Sequence, residues 1–175
     1  MIPAPGSYRA SSKSIGDPTD IQRLADILAK AERPAVLMGQ QVWASQSHHA
    51  AIEFIRAMDI PAYMNGASRG MLPQDDPHHF DRTRSDAFKG ADVILIVGTP
   101  FDFRMGYGKR ISKDATLVQI DQDYRTVGKN RDISLGLAGD PGAILSAVVA
   151  AASVSMDNGA RQLRKQWMAQ LRAFA

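Results

Sequence analysis

Short apolar runs closed by a small, polar or acidic residue recur along the chain. Ala35-Val36-Leu37-Met38 runs into Gly39, Pro61-Ala62-Tyr63-Met64 into Asn65-Gly66, and Val93-Ile94-Leu95-Ile96-Val97 into Gly98. Two more follow: Thr116-Leu117-Val118-Gln119-Ile120 before Asp121, and Ile133-Ser134-Leu135-Gly136-Leu137 before Gly139-Asp140. Continuous runs, as opposed to alternating ones, suit strands buried on both faces of a parallel sheet. Between them the period becomes helical. Ile21, Leu24, Ile27 and Leu28 share one face of a helix that Asp17 or Thr19 is placed to cap and that ends before Pro34. Ala50-Ala51-Ile52-Glu53-Phe54-Ile55 has a similar pattern, Ala143 to Ala152 reads as a closing helix, and Arg161 to Phe174 as a further amphipathic one.

Strands alternating with helices predict an α/β fold: a Rossmann-like three-layer α/β/α domain with a parallel, doubly wound sheet of five to six strands. Residues 1–17, rich in Pro, Gly and Ser without a hydrophobic period, read as an interdomain linker. Residues 18–152 form the domain, and 153–175 a helical extension or linker toward a next domain. Ligands of such sheets lie outside the carboxyl ends of the strands. Those ends carry Gly39-Gln40-Gln41, Asn65-Gly66-Ala67-Ser68-Arg69-Gly70, Gly98-Thr99-Pro100, Asp121-Gln122-Asp123 and Gly139-Asp140. The candidate nucleotide-contacting set is therefore Gly39, Gln40, Gly66, Ala67, Gly98, Thr99, Arg104, Asp121, Gln122 and Asp140. Arg104 enters because a guanidinium following the central strand is able to clamp a diphosphate, the competing reading being an ion pair with Asp102. Asp121 and Asp123 suit either a ribose or the cap of a following helix.

Composition narrows the chemistry. With 21 Lys and Arg against 18 Asp and Glu, spread through the chain, a nucleic-acid partner is not expected. The absence of Cys removes disulfides, thiolate metal sites and a Cys nucleophile. No apolar run approaches the roughly 18 residues of a membrane span, and the start lacks a signal-peptide core, so a cytoplasmic protein is expected. Neither G-x-G-x-x-G after the first strand nor a P-loop pattern occurs, which disfavours a typical dehydrogenase and a phosphotransferase. The stretch with Asp75, Asp76, His78, His79 and Asp81 is interrupted by Pro77 and lacks metal-ligand spacing, so it reads as a solvated loop. Trp43 and Trp167 are expected to pack, and no catalytic residue or metal ligand is assigned.

Gly98-Thr99-Pro100-Phe101-Asp102-Phe103-Arg104 resembles the Gly-x-Arg-Phe-Asp-x-Arg segment of acetolactate-synthase-like enzymes. Ile120-Asp121-Gln122-Asp123, continuing to Val127-Gly128-Lys129, is similar to that family's I-D-x-D-x-x-x-[IV]-G-[KR], and Gly139-Asp140 to its following Gly-Asp. Ala67-Ser68-Arg69-Gly70-Met71-Leu72-Pro73 with Asp76-Pro77-His78 is similar to the loop after the second strand in members near hydroxyacyl-CoA lyases. The resemblance implies the central domain of a three-domain enzyme whose pyrimidine and diphosphate domains, absent here, bind thiamine diphosphate and Mg2+. Such a domain holds FAD or ADP, or nothing, and is noncatalytic in isolation; the parent acts on 2-oxo acids or related acyl substrates as a homo-oligomer, dimer or tetramer. Pro100 stands where many FAD-binding members have Arg, which leaves Arg104 to meet the phosphates. A scaffolding domain without nucleotide, or an unrelated nicotinamide-nucleotide-binding domain of the same superfold, is the alternative.

Overall fold

The computed structural model describes residues 13–152 and 158–174. The greater part of the linker expected at 1–17 and residues 153–157 of the expected extension lie outside them. Five parallel strands, β1 (Pro34–Met38), β2 (Ala62–Met64), β3 (Val93–Val97), β4 (Thr116–Asp121) and β5 (Leu135–Ala138), form one sheet in the order β2-β1-β3-β4-β5. Among the described residues six helices accompany them: α1 (Pro18–Lys30), α2 (Gln40–Ala44), α3 (His48–Met58), α4 (Arg84–Gly90), α5 (Pro141–Ala152) and α6 (Asn158–Ala173). Short 3-10 turns cover Gly66–Ser68 and Phe103–Gly108. The expected α/β architecture, a parallel sheet flanked by helices, is what the chain forms.

The run of apolar residues in each central strand serves two cores at once. Val36, Met38, Leu95, Val97, Val118 and Ile120 point to one face, where α1, α3 and α5 bring Leu24, Leu28, Phe54, Ile55, Ile144 and Val148. The alternate residues Ala35, Leu37, Ile94, Ile96 and Leu117 point to the other, against Phe88 of α4, Trp167, Met168 and Leu171 of α6, and Phe101 and Ile111. Side chains alternate along a strand, so a strand between two cores is apolar at consecutive positions; β4 departs from this at buried Gln119, whose Oε1 accepts from Gly128 N at 2.9 Å. Asp17 caps α1, its side chain accepting from Thr19 N at 2.7 Å. The segment predicted as amphipathic at 161–174 supplies half of the second helical layer. α6 buries Trp167, and its Arg164 donates to the carbonyls of Leu28, Ala31 and Met58 at the ends of α1 and α3.

Candidate nucleotide site at the carboxyl edge of the sheet

The chain leaves β1 toward β2 on one side and β3 toward β4 on the other, so the switch point falls between β1 and β3. Gly39 and Gly98 meet there. Gly39 N donates to Val97 O at 2.7 Å, and Gly98 N to Ile120 O at 2.8 Å. A Cβ on Gly39 would lie 2.5 Å from Gly98 O and 2.6 Å from Thr99 Cβ, so only glycine admits this approach. Gly98, at φ 65°, bears in turn against Gln41, whose Cβ would stand 2.6 Å from an added methyl. Gly39, Gly98 and Thr99 are buried, and Gln40, Gly66 and Ala67 are exposed beside them.

Gln41, in the first turn of α2, occupies the switch point. Its Nε2 donates to Asp121 Oδ1 at 2.8 Å and its Oε1 accepts from Gln122 N at 3.0 Å. Asp121 is fully buried. Its Oδ1 also accepts from Asp123 N at 2.9 Å, while Oδ2 has no hydrogen-bond partner among the described residues. A buried carboxylate oxygen left without a donor costs free energy, and this one is enclosed by the chain's own atoms. Asp140 has work within the chain: its Oδ1 accepts from Ala143 N at 2.9 Å in the first turn of α5, and Lys13 lies 3.3 Å away.

Past β2 and β3 the edge opens into a cleft of about 790 Å³. Tyr63, Phe80 and Phe88 form its apolar floor, and Arg69, Arg82, Arg84, Arg104 and Arg110 line it, with Asp81 the one carboxylate among the lining residues. Tyr63 is buried, with its hydroxyl 3.0 Å from Thr83 Oγ1, and burial pushes its phenol up to about 12. It therefore stays a neutral hydrogen-bonding group across the physiological range. Arg104 is turned back on its neighbour: Nε and Nη2 donate to Asp102 Oδ2 at 2.9 and 2.6 Å, while Asp102 Oδ1 accepts from Arg104 N at 2.9 Å. The guanidinium holds the Asp102 carboxyl below its ordinary value, and Asp102 raises Arg104. Nη1 takes no part in that pair, and the side chain is 60% exposed.

Two features correct the sequence reading. Trp43 is 60% exposed and stands 5.8 Å from the His48 ring, because α2 is a single short turn projecting from the carboxyl edge. The segment around His78 is more than a solvated loop. Asp76 and Phe80 are buried, and His78 makes ring contacts with two carboxylates. Of these residues the sequence points to Arg104, and to neither Gln41 nor the other arginines of the cleft. Arg82-Thr83-Arg84 was the available signal for the cleft, two cations at the entry to a helix; nothing local marks Gln41, whose partners lie 80 and 81 positions away.

A five-stranded parallel sheet flanked by helices, with a Gln41–Asp121 pair at its switch point and an arginine-lined cleft beside it, defines the chain as an α/β domain. The family described as thiamine pyrophosphate enzyme, central domain, matches residues 21–148, and the chain belongs to that family. It is 38% identical over 133 residues, 76% of this chain and 24% of the relative, to the acetolactate synthase large subunit IlvG of Mycobacterium tuberculosis. It is 30% identical over 130 residues, 71% of this chain and 21% of the relative, to 2-hydroxyacyl-CoA lyase 2 of Danio rerio. The chain thus spans about a quarter of the length of these curated relatives. A solved structure assigned as a thiamin diphosphate-dependent enzyme from Mycobacterium smegmatis shares the fold, with TM-score 0.70 and 20% identity over 89% of this chain and 31% of that one.

Proposed function

We propose that the chain serves as the nucleotide-holding central domain of a thiamine-diphosphate- and Mg2+-dependent enzyme acting on 2-oxo acids or related acyl substrates, and is noncatalytic alone. The family supports a parent that uses thiamine diphosphate, whose chemistry is the stabilisation of carbanions on its ring. Among the described residues no group of three or more His, Asp or Glu is arranged to hold a metal ion. Family membership is what supports assigning the thiamine diphosphate, and with it the magnesium, to flanking pyrimidine and diphosphate domains. No helix among the described residues is long and apolar enough to cross a membrane.

FAD or ADP is the ligand proposed for this domain. The observation that carries it is the open cleft lined by five arginines at the carboxyl edge of the sheet. The strand end at Asp121 and its neighbours would face the adenosine, and Arg104, through Nη1 or by leaving Asp102, would meet a phosphate. In the strand order, three spacings of about 4.8 Å, roughly 14 Å in all, separate β4 from β2. That span seats an adenosine at one end and its phosphates at the other. Purified intact enzyme should release FAD or ADP on denaturation, read by flavin absorbance and chromatography. Release of neither, together with no binding of either added nucleotide, would favour the scaffolding reading, for which the existing Arg104–Asp102 pair is the supporting observation.

A further inference from the structure

Two turns at the carboxyl edge are built to one plan. After β3 the chain reads Asp102-Phe103-Arg104, and after β4 it reads Asp123-Tyr124-Arg125. In each, one carboxylate accepts from both the backbone and the side chain of the arginine two residues on. Asp102 Oδ1 takes Arg104 N at 2.9 Å, and its Oδ2 takes Nε and Nη2 at 2.9 and 2.6 Å. Asp123 Oδ1 takes Arg125 N and Nε at 3.0 and 2.8 Å, and its Oδ2 takes Nη2 at 2.8 Å. The guanidinium holds each carboxyl below its ordinary value, so both closures persist as ion pairs at neutral pH. β3 and β4 are neighbours, with Val97 opposite Ile120, and the turns rise from adjacent strand ends.

Such a closure ties the first residue to the third and leaves the middle one outside. Both middle residues are aromatic and face water, Phe103 at 73% exposure and Tyr124 at 75%. A single exposed ring needs no explanation, and what distinguishes these two is what lies beside each. Tyr124 follows Asp121 by three residues, at the strand end proposed to face the adenosine. Phe103 lines the cleft together with Arg104, whose guanidinium carbon lies 5.7 Å from the ring centroid, so ring and cation are offered side by side. Tyr124 is not among the residues lining the cleft, so the two rings serve different places.

The cleft itself is more than a phosphate seat. Its roughly 790 Å³ falls in the range of pockets that enclose a whole small molecule, and a diphosphate fills a small part of it. Its floor is aromatic, from Tyr63, Phe80 and Phe88. A charged phosphate loses hydration against such a floor, whereas a flat ring gains contact there.

We propose that the edge is shaped for a dinucleotide with a flat ring at each end of its diphosphate. Tyr124 stacks the adenine, and Phe103 covers a second ring lodged on the cleft floor. Between them Arg104 reaches a phosphate through Nη1, which its pair with Asp102 leaves out. This rests on the reading that the edge holds a nucleotide, and within that reading it selects FAD over ADP.

The test is calorimetry on the intact enzyme with FAD, ADP and inorganic pyrophosphate, thiamine diphosphate and Mg2+ being kept saturating so that their own site is filled. Tyr124→Ser should weaken FAD and ADP alike by roughly tenfold, the usual scale for a base stacked on an aromatic side chain. Tyr124→Phe should bind like wild type, because stacking uses the ring and not the hydroxyl. Phe103→Ser should weaken FAD by roughly tenfold and leave ADP unchanged, with Phe103→Tyr restoring FAD. Pyrophosphate, which has no ring, should bind all five proteins equally. Equal losses of FAD and ADP in Phe103→Ser, no loss in Tyr124→Ser, or a Tyr124→Phe as weak as Tyr124→Ser would each overturn the two-ring proposal while leaving a nucleotide at the edge. Binding of neither FAD nor ADP to wild type would overturn the nucleotide reading and the proposal with it.

Discussion

The two ends of the sheet are finished differently. At the amino edge most of the buried donors and acceptors are matched to one another, Arg131 Nε in the loop before β5 excepted. Arg164 satisfies three carbonyls from α1 and α3, Trp167 Nε1 donates to Pro34 O at 3.1 Å, and Asp92 accepts from the amides of Glu32 and Arg33 at 2.8 and 3.1 Å. At the carboxyl edge Trp43, Phe103, Tyr107 and Tyr124 are 46 to 75% exposed, and Asp121 keeps a buried oxygen without a donor. Arginines line an open cleft there. Exposed aromatics and unsatisfied buried polar atoms are costs that a chain folding for its own sake does not need. The amino edge is closed largely by the chain's own groups, whereas the carboxyl edge carries the open, arginine-lined cleft to which the proposed nucleotide is assigned.

The sharpest way to break the comparison is at the closed end. Replacing Arg164 by Met should cost about 3 kcal/mol, because three buried carbonyls lose their donor and each such loss costs on the order of 1 kcal/mol or more. Burial already pushes this guanidinium below its ordinary value, so part of the loss is recovered by not burying a charge. Urea unfolding at unchanged m measures it, with exposed Arg161→Met as the control; equal midpoints would mean that the amino edge is not what holds α6 down.

A smaller effect, about 2 kcal/mol, is expected for Gly39→Ala. The added methyl would stand 2.5 Å from Gly98 O, against backbone that has little room to yield. Gly70→Ala, where a methyl would meet nothing within 4 Å but the backbone sits at φ 84°, separates contact from conformational strain. If both substitutions cost the same, the tight β1–β3 approach is not the source.

Asp76 contributes the smallest stability effect, visible in pH. Burial pushes its carboxyl up, but hydrogen bonds from Arg56 and from the backbone and ring of His78 outweigh it and hold the group below its ordinary value of 3.8. A depressed folded value means stability that is complete above the unfolded value and lost as pH falls through the folded one. Unfolding free energy should therefore drop below about pH 4 less steeply in Asp76→Asn than in wild type. Parallel acid limbs for the two proteins would remove Asp76 from the account.

The two ends were unequally legible in the sequence. β1, β3 and β4 announce themselves because strands between two cores must be apolar at consecutive positions, and Asp17 marks the start of α1 by ordinary capping chemistry. β5 starts two residues later than its apolar run, since Ile133 and Ser134 belong to the loop that packs beside Gly128 and Gly136. The positions of Gly39, Gly98 and Asp121 at strand ends followed from the fold alone. Their use did not: whether Asp121 is solvated or buried depends on Gln41, and whether Arg104 is free depends on Asp102. The family resemblance reached the class of protein because it rests on several segments in order, whereas the arginine cleft gathers residues from three separate loops that no periodicity connects.

Calorimetric titration of the intact enzyme with FAD and with ADP tests this account of the carboxyl edge most directly. Wild type, Arg104→Ala, Arg104→Lys and the surface control Arg161→Ala are compared at one salt concentration. Arg104→Ala should weaken nucleotide binding by about tenfold or more, and Arg104→Lys should fail to restore it, since a point ammonium does not reproduce a planar fork. Arg161→Ala should bind like wild type. Equal affinity across all four proteins would contradict the account and reduce Arg104 to the partner of Asp102.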